Sequence, residues 1–211
     1  MKNLTIFFIL AVAISVIVGC KKIASVIYNV HTPQSESIDN IIHFCLKRNI
    51  DTSALVLIHE DWILNSLYKD LNHSILFDRE GYSIDFNASA VNPVCGGNIF
   101  GILEGIGKET YFPRDSVRTF NEETKRWIST KGHPIKNNIR KLASDYVVVY
   151  YWNTFSGTPN HKWQIRNLKE KITNNKRVTI QLIIVNQDIR TDINFKQKAI
   201  EYKKLNPTKK E

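Results

Sequence analysis

The chain has little of what builds metal and nucleotide sites. Its 211 residues include three cysteines, nine glycines and six histidines. His31, His43, His59, His73, His133 and His161 show no H-x-H, H-x-x-x-H or H-E-x-x-H spacing, so no linear metal motif is present. His59-Glu60-Asp61 is the one polar triplet with ligand chemistry, and at the end of a strand it reads more simply as a helix cap and solvated loop. Gly101, Gly105 and Gly107 fit neither glycine pattern that cradles phosphate, so no nucleotide is implied, and no other cofactor is either. Internal repeats and low-complexity tracts are missing. Long apolar runs are limited to Leu4–Val18, shorter than the ~20 residues of a spanning helix.

What is present begins with an address. Lys2 precedes the apolar run, and Ile17-Val18-Gly19-Cys20 closes it with a small residue before cysteine, a pattern that fits an export signal. The tetrapeptide resembles the lipobox of bacterial lipoproteins, which implies cleavage after residue 19 and a lipid on Cys20. Such a lipid holds a chain to a membrane because each buried methylene contributes about 0.8 kcal/mol. The expected location is the bacterial cell envelope, facing the periplasm. Removing 1–19 takes away one lysine and leaves a net charge near +8. Lys203, Lys204, Lys209 and Lys210 surround Pro207 in a basic tail, read as solvated rather than lipid-bound. The other basic residues are scattered and carry no recognised reading motif, so nucleic acid is not an expected partner.

After a polar tether to about residue 39, Ser37 or Asp39 caps an expected helix, Ile41 to Lys47, whose dense apolar content places Cys45 in the core. Ala54 to Ile58 reads as a strand and Asp61 to Leu71 as a helix with Trp62, Ile63, Leu67 and Leu71 inward. Ser74 to Phe86 reads as a hairpin, with a turn ending in Gly81 and with Tyr82, Ile84 and Phe86 on its buried face. Helices are expected over Ile99 to Ile106, Ser116 to Ser129 and Ile135 to Leu142, and they would cover one face of a sheet.

The densest signal lies near the C-terminus. Val147 to Trp152 is too β-rich and too short for a helix and reads as a buried strand. A polar turn follows, then an apolar face on Trp163, Ile165, Leu168 and Ile172, and a second strand over Val178 to Val185. Strand, helix and strand with short joints make a βαβ unit with parallel strands. A last helix is expected over Phe195 to Lys204.

This segment resembles the first βαβ unit of thioredoxin-like domains in envelope thiol-disulfide proteins, where a buried strand runs into W-x-T-W-C-G-P-C. Here the stretch is Trp152-Asn153-Thr154-Phe155-Ser156-Gly157-Thr158-Pro159. Trp152, Thr154 and Gly157 match, and Phe155 stands for an aromatic. Ser156 and Pro159 stand where the two cysteines would be. The resemblance covers about a third of the chain. It implies an α/β fold, a thioredoxin-like central sheet with flanking helices, partly rearranged or incomplete. The family's hairpin follows its βαβ unit, whereas here it comes earlier, and Asn72-His73 replaces the proline expected before it. The N-terminal half would then supply the missing sheet edge, since a bare βαβα segment would leave an apolar edge exposed. The resulting organisation is a signal peptide (1–19), a lipidated tether (20–39), an N-terminal α/β region with hairpin and covering helices (40–143), a thioredoxin-like βαβα unit (144–205) and a basic tail (206–211).

Without thiols this turn cannot exchange disulfides, because the reaction needs a low-pKa thiolate and a resolving partner. Ser156 as a hydrolytic nucleophile needs a base and an orienting group. His161 is near in sequence, yet the reading preferred for Ser156 is that of a turn filler and helix cap. Cys45 and Cys95 form a disulfide, act as a displaced redox pair or stay separate; sequence leaves the three open. The expected function is binding of an envelope protein or peptide at Asn153 to Asn160, with no catalytic residue. The competing reading is a thiol oxidoreductase that uses Cys95, with or without Cys45.

Overall fold

A computed structural model of the chain describes residues 33–52, 55–69, 73–85, 99–108, 113–135, 143–156 and 158–205. The elements run α1 (Ile38–Leu46), β1 (Val56–Ile58), a 3-10 turn (Glu60–Trp62), α2 (Ile63–Lys69), β2 (Ser74–Asp78), β3 (Tyr82–Ile84) and α3 (Ile99–Gly105). They continue with β4 (Arg114–Thr119), α4 (Phe120–Thr124), β5 (Trp127–Ser129), β6 (Tyr146–Trp152), α5 (Thr158–Asn174), β7 (Ile180–Asn186) and α6 (Phe195–Leu205). The strands form one mixed sheet in the order β4-β3-β2-β6-β7-β1-β5, so the architecture is α/β. β6, β7 and β1 are mutually parallel neighbours, while β2 joins β6 antiparallel and the outer strands are antiparallel to theirs.

Both faces of β6 are buried, which is why its sequence is continuously apolar rather than alternating. Val148, Tyr150 and Trp152 point into one core with Ile41, Cys45, Ile102, Leu103, Ile165 and Leu168, beneath α1, α3 and α5. Val147, Val149 and Tyr151 point into the other with Ile63, Leu64, Phe120 and Trp127, and Phe195, Ala199 and Tyr202 of α6 pack against it. Burying each large apolar side chain contributes about 1.5–3 kcal/mol, so this central strand is a main source of the fold's cohesion.

Local chemistry sets several boundaries. Ser37 Oγ accepts from Asn40 N at 3.1 Å and caps α1, and Cys45 of that helix is fully buried. Ser37→Ala is expected to cost about 1 kcal/mol, read as a lower urea midpoint; an unchanged midpoint would show that the cap contributes nothing. In the β2–β3 hairpin Asp78 Oδ1 accepts from Glu80 N at 2.9 Å and Tyr82 N at 3.1 Å, and Gly81 takes the positive φ of 93° that closes the turn. His59 caps the 3-10 turn by accepting from Asp61 N, as a strand-end triplet should.

The structure departs from the sequence reading in four places. Ser116 to Ser129 is not one helix: β4, the short α4 and β5 occupy it. Val117, Phe120 and Trp127 have helical spacing, but Thr119 is extended and caps α4 through Glu122 N, and Trp127 and Ile128 pair with β1. Trp62 is 37% exposed because it lies in the 3-10 turn ahead of α2. Tyr82 is equally exposed and sits under the Arg114 guanidinium; the register shifts at Tyr82/Ser83, and Ser83 is buried instead. Trp163 is 49% exposed. Two residues turn a helix by about 200°, so Trp163 cannot share a face with Ile165, and the inward face is His161, Ile165, Leu168 and Ile172. Lys203 and Lys204 lie in the last turn of α6, while Leu71, Phe86, residues 136–142 of the third expected helix and 206–211 of the basic tail lie outside the described residues.

Candidate functional site

The carboxyl ends of β6 and β7 meet at the turn that leads into α5. Gln187 N donates to Trp152 O at 2.7 Å and ties the two strand ends together. Beyond them the Asp188 carboxylate accepts from Thr154 N at 2.9 Å, Thr154 Oγ1 at 2.8 Å and Asn186 Nδ2 at 2.7 Å. Burial pushes the Asp188 carboxyl above the usual range, and these hydrogen bonds pull it back. Asn153 Oδ1 accepts from Ser156 N at 2.8 Å and closes the turn. The backbone carrying Ser156 is therefore held by Asn153 and Thr154 from just past β6 and by Asp188 from just past β7.

Ser156, half-buried, reaches His161 on the first turns of α5: its Oγ is 2.8 Å from Nε2. On the other side of the imidazole, Nδ1 is 2.7 Å from Tyr150 OH, and that hydroxyl donates to Gln164 Oε1 at 2.6 Å. Because Tyr150 spends its one proton on Gln164, it must accept from Nδ1–H. Nε2 is then the bare nitrogen, and it accepts from the serine hydroxyl. Burial holds His161 down at about 4, so the ring is neutral at pH 7. Tyr150 is pushed up by its own burial and stays protonated.

The remaining residues singled out by sequence lie as follows. Trp152 and Phe155 are buried and belong to the core; Trp152 stacks on Phe44 at 5.3 Å, and its Nε1–H has no hydrogen-bond partner among the described residues. Thr158 and Pro159 open α5, while Gly157 lies outside the described residues. Cys45 is a free, buried thiol. Its burial, with the Asp188 charge adding to it, raises its pKa to about 12, so it is not a thiolate near neutral pH. Cys20 and Cys95 lie outside the described residues.

Sequence reasoning missed Tyr150, Gln164 and Asp188. A usable signal existed for Gln164, which is three residues from His161 and so on its face of the helix. Tyr150 shares the inward face of β6 with Trp152, but its hydroxyl's partner depends on how α5 docks. Among the described residues no group of three or more His, Cys, Asp or Glu side chains is placed to hold a metal ion, and no helix is long and apolar enough to cross a membrane. Set against known proteins, the chain matches no family model, no curated protein and no solved structure, so its own residues and geometry carry the functional argument.

Proposed function

We propose that the protein is an envelope lipoprotein, held to the membrane through lipid on Cys20, whose degenerate thioredoxin-like domain binds a protein or peptide and performs no dithiol chemistry. The observation that carries this reading is the turn between β6 and α5. It ends a central parallel strand and starts a long helix, the place where the resemblance puts the attacking thiol, and Ser156 stands there. The antiparallel pairing of the β2–β3 hairpin onto β6, on the side away from β7, supports the same kinship although the hairpin comes first in the chain. Ile17-Val18-Gly19-Cys20 supports the anchor. A surface for an extended ligand is supported by Trp163, half-exposed on α5 and edge-on to Phe100 at 5.9 Å.

Cys45 weighs against the oxidoreductase reading, because a buried thiol raised to about 12 attacks disulfides slowly. An insulin-reduction assay tests the choice: the full chain should reduce insulin no faster than buffer. Turnover that disappears on Cys95→Ser would replace binding by thiol chemistry. A photocrosslinker at Trp163 should capture one envelope protein or peptide that the same group at Lys204 does not, and equal capture at both positions would remove the proposed surface.

A further inference from the structure

The Ser156, His161, Tyr150 and Gln164 chain has more order than a turn needs. Ser156 N donates to Asn153 Oδ1 and closes the turn, which leaves its hydroxyl out of that task. The side chain is directed elsewhere, onto an imidazole whose tautomer is fixed from behind. A nucleophilic hydroxyl requires a base within 2.6–3.2 Å whose second nitrogen is oriented by a third group. The observed distances of 2.8, 2.7 and 2.6 Å meet that requirement along the whole chain. Tyr150 and His161 are buried, so the base is fixed and shielded, whereas Ser156 is only half-buried. The hydroxyl also stands just before the first turn of α5, a helix of 17 residues whose leading backbone N–H groups and dipole favour negative charge.

We infer that Ser156 is a nucleophile for acyl groups, with His161 Nε2 as its general base and with Tyr150 and Gln164 as positioning residues. In the step, the Ser156 O–H bond breaks and its proton passes to the lone pair on Nε2. The oxygen forms a bond to the carbonyl carbon of an ester, and the carbonyl electron pair moves onto its oxygen. Collapse of that intermediate breaks the bond to the leaving alkoxide, which takes the proton back from Nε2 and departs as an alcohol. The product is an ester on Ser156, and water attacking by the same route releases a carboxylic acid and restores the serine.

Among the described residues no carboxylate backs the imidazole, whose Nδ1 faces the Tyr150 hydroxyl. The cation formed on His161 faces the neutral Tyr150 hydroxyl, so attack by water, which needs the base, is slow; a phenolate leaves without protonation, so with an activated ester acylation outpaces hydrolysis and the ester on Ser156 accumulates. The site is suited to taking up one acyl group per chain rather than to rapid turnover. The inference stands on the hydrogen-bond chain and not on the thioredoxin-like kinship, so a failed crosslinking experiment leaves it untouched, and its own failure leaves the binding reading in place.

The test uses the full chain with p-nitrophenyl acetate and, separately, a fluorophosphonate probe. The expected result is a burst of one equivalent of nitrophenolate, a single acetyl adduct in the intact mass, and both labels mapped to Ser156. Ser156→Ala, at a half-buried position that tolerates the change, should lose the adduct. His161→Gln, which keeps hydrogen-bonding capacity, should slow labelling by about a hundredfold or more. Tyr150→Phe retains the ring and its packing, and should slow labelling by about tenfold while moving its pH profile, because the tautomer is no longer fixed; a merely structural tyrosine would move neither. Labels that map to another residue, or a His161→Gln or Tyr150→Phe chain that labels at the native rate, would overturn the assignment.

Discussion

Replacing Glu123 with alanine is expected to destabilise the protein by about 3–5 kcal/mol, the usual cost of removing one member of a buried ionic pair. Glu123 is 1% exposed, on the short α4, and its carboxylate collects three donors. Tyr151 OH from the central strand donates to it, Arg118 Nε lies at 2.9 Å, and Arg126 Nη1 lies at 3.5 Å. Tyr151 in turn accepts from Trp127 Nε1 at 3.2 Å, so one carboxylate joins β4, α4, β5 and β6. Burial and the charge of Glu123 push the Tyr151 phenol well above its ordinary value, so it is protonated and a donor at neutral pH. Alanine takes the acceptor from a buried hydroxyl and the counter-charge from two guanidinium groups. Glu123→Gln keeps an acceptor for Tyr151 and should cost less than half as much. Urea unfolding at pH 7 measures both, and a double-mutant cycle with Tyr151→Phe isolates their coupling. A Glu123→Ala chain within about 1 kcal/mol of the native one would mean that the network is not closed as described.

The second large effect is a pH window set by His161. Its folded pKa of about 4 lies below the ordinary 6.5, so the unfolded chain binds more protons between those values. The contribution is fully present above about pH 6.5 and is lost as pH falls towards 4, with a total of roughly 3 kcal/mol over the window. Asp188 acts with the opposite sign, because a raised carboxyl favours the folded state at the acid end. The clean readout is therefore the difference between the native chain and His161→Gln, measured as urea midpoints from pH 4 to pH 8. The native chain should lose stability towards pH 4 that the variant does not lose. Parallel pH curves would show that the imidazole is solvated.

These two predictions come from regions that differ in how much of them could be read in sequence. The stretch Tyr146–Asn186 was legible to within a few residues, because strand and helix there have different periods and both strand faces are apolar. Residues 114–129 were not legible: apolar side chains at spacings of three and seven suit a helix as well as a strand, a cap and a second strand. Only the pairing of Trp127 and Ile128 with β1 decides between them. That pairing is set by a partner some 70 residues away. Trp163 belongs to the apolar face expected with Ile165, Leu168 and Ile172, but the turn of about 200° between residues 163 and 165 sends it outward.

The site divides in the same way. Ser156 and His161 are five residues apart in sequence, and their encounter depended only on how the turn entered α5. Asp188, which holds Thr154 from just past the end of β7, and Tyr150, which fixes the histidine from β6, reach the site only through the pairing of β6 with β7 and the docking of α5. Gln164 could have been found from its helical offset, but an uncharged amide at the end of a hydrogen-bond chain leaves no mark in composition. The absence of cysteine from this turn is its most legible feature, and Ser156 occupies the place that the resemblance gives to the attacking thiol.

The protonation of His161 tests the account most directly, because the hydroxyl chain, the pH window and the acyl chemistry all depend on it. Nitrogen-15 NMR of imidazole-labelled protein should show a neutral ring at pH 7 with the proton on Nδ1, a bare Nε2, and a titration midpoint near 4. A ring that carries its proton on Nε2, or that titrates near 6.5 as a solvated histidine does, would contradict it.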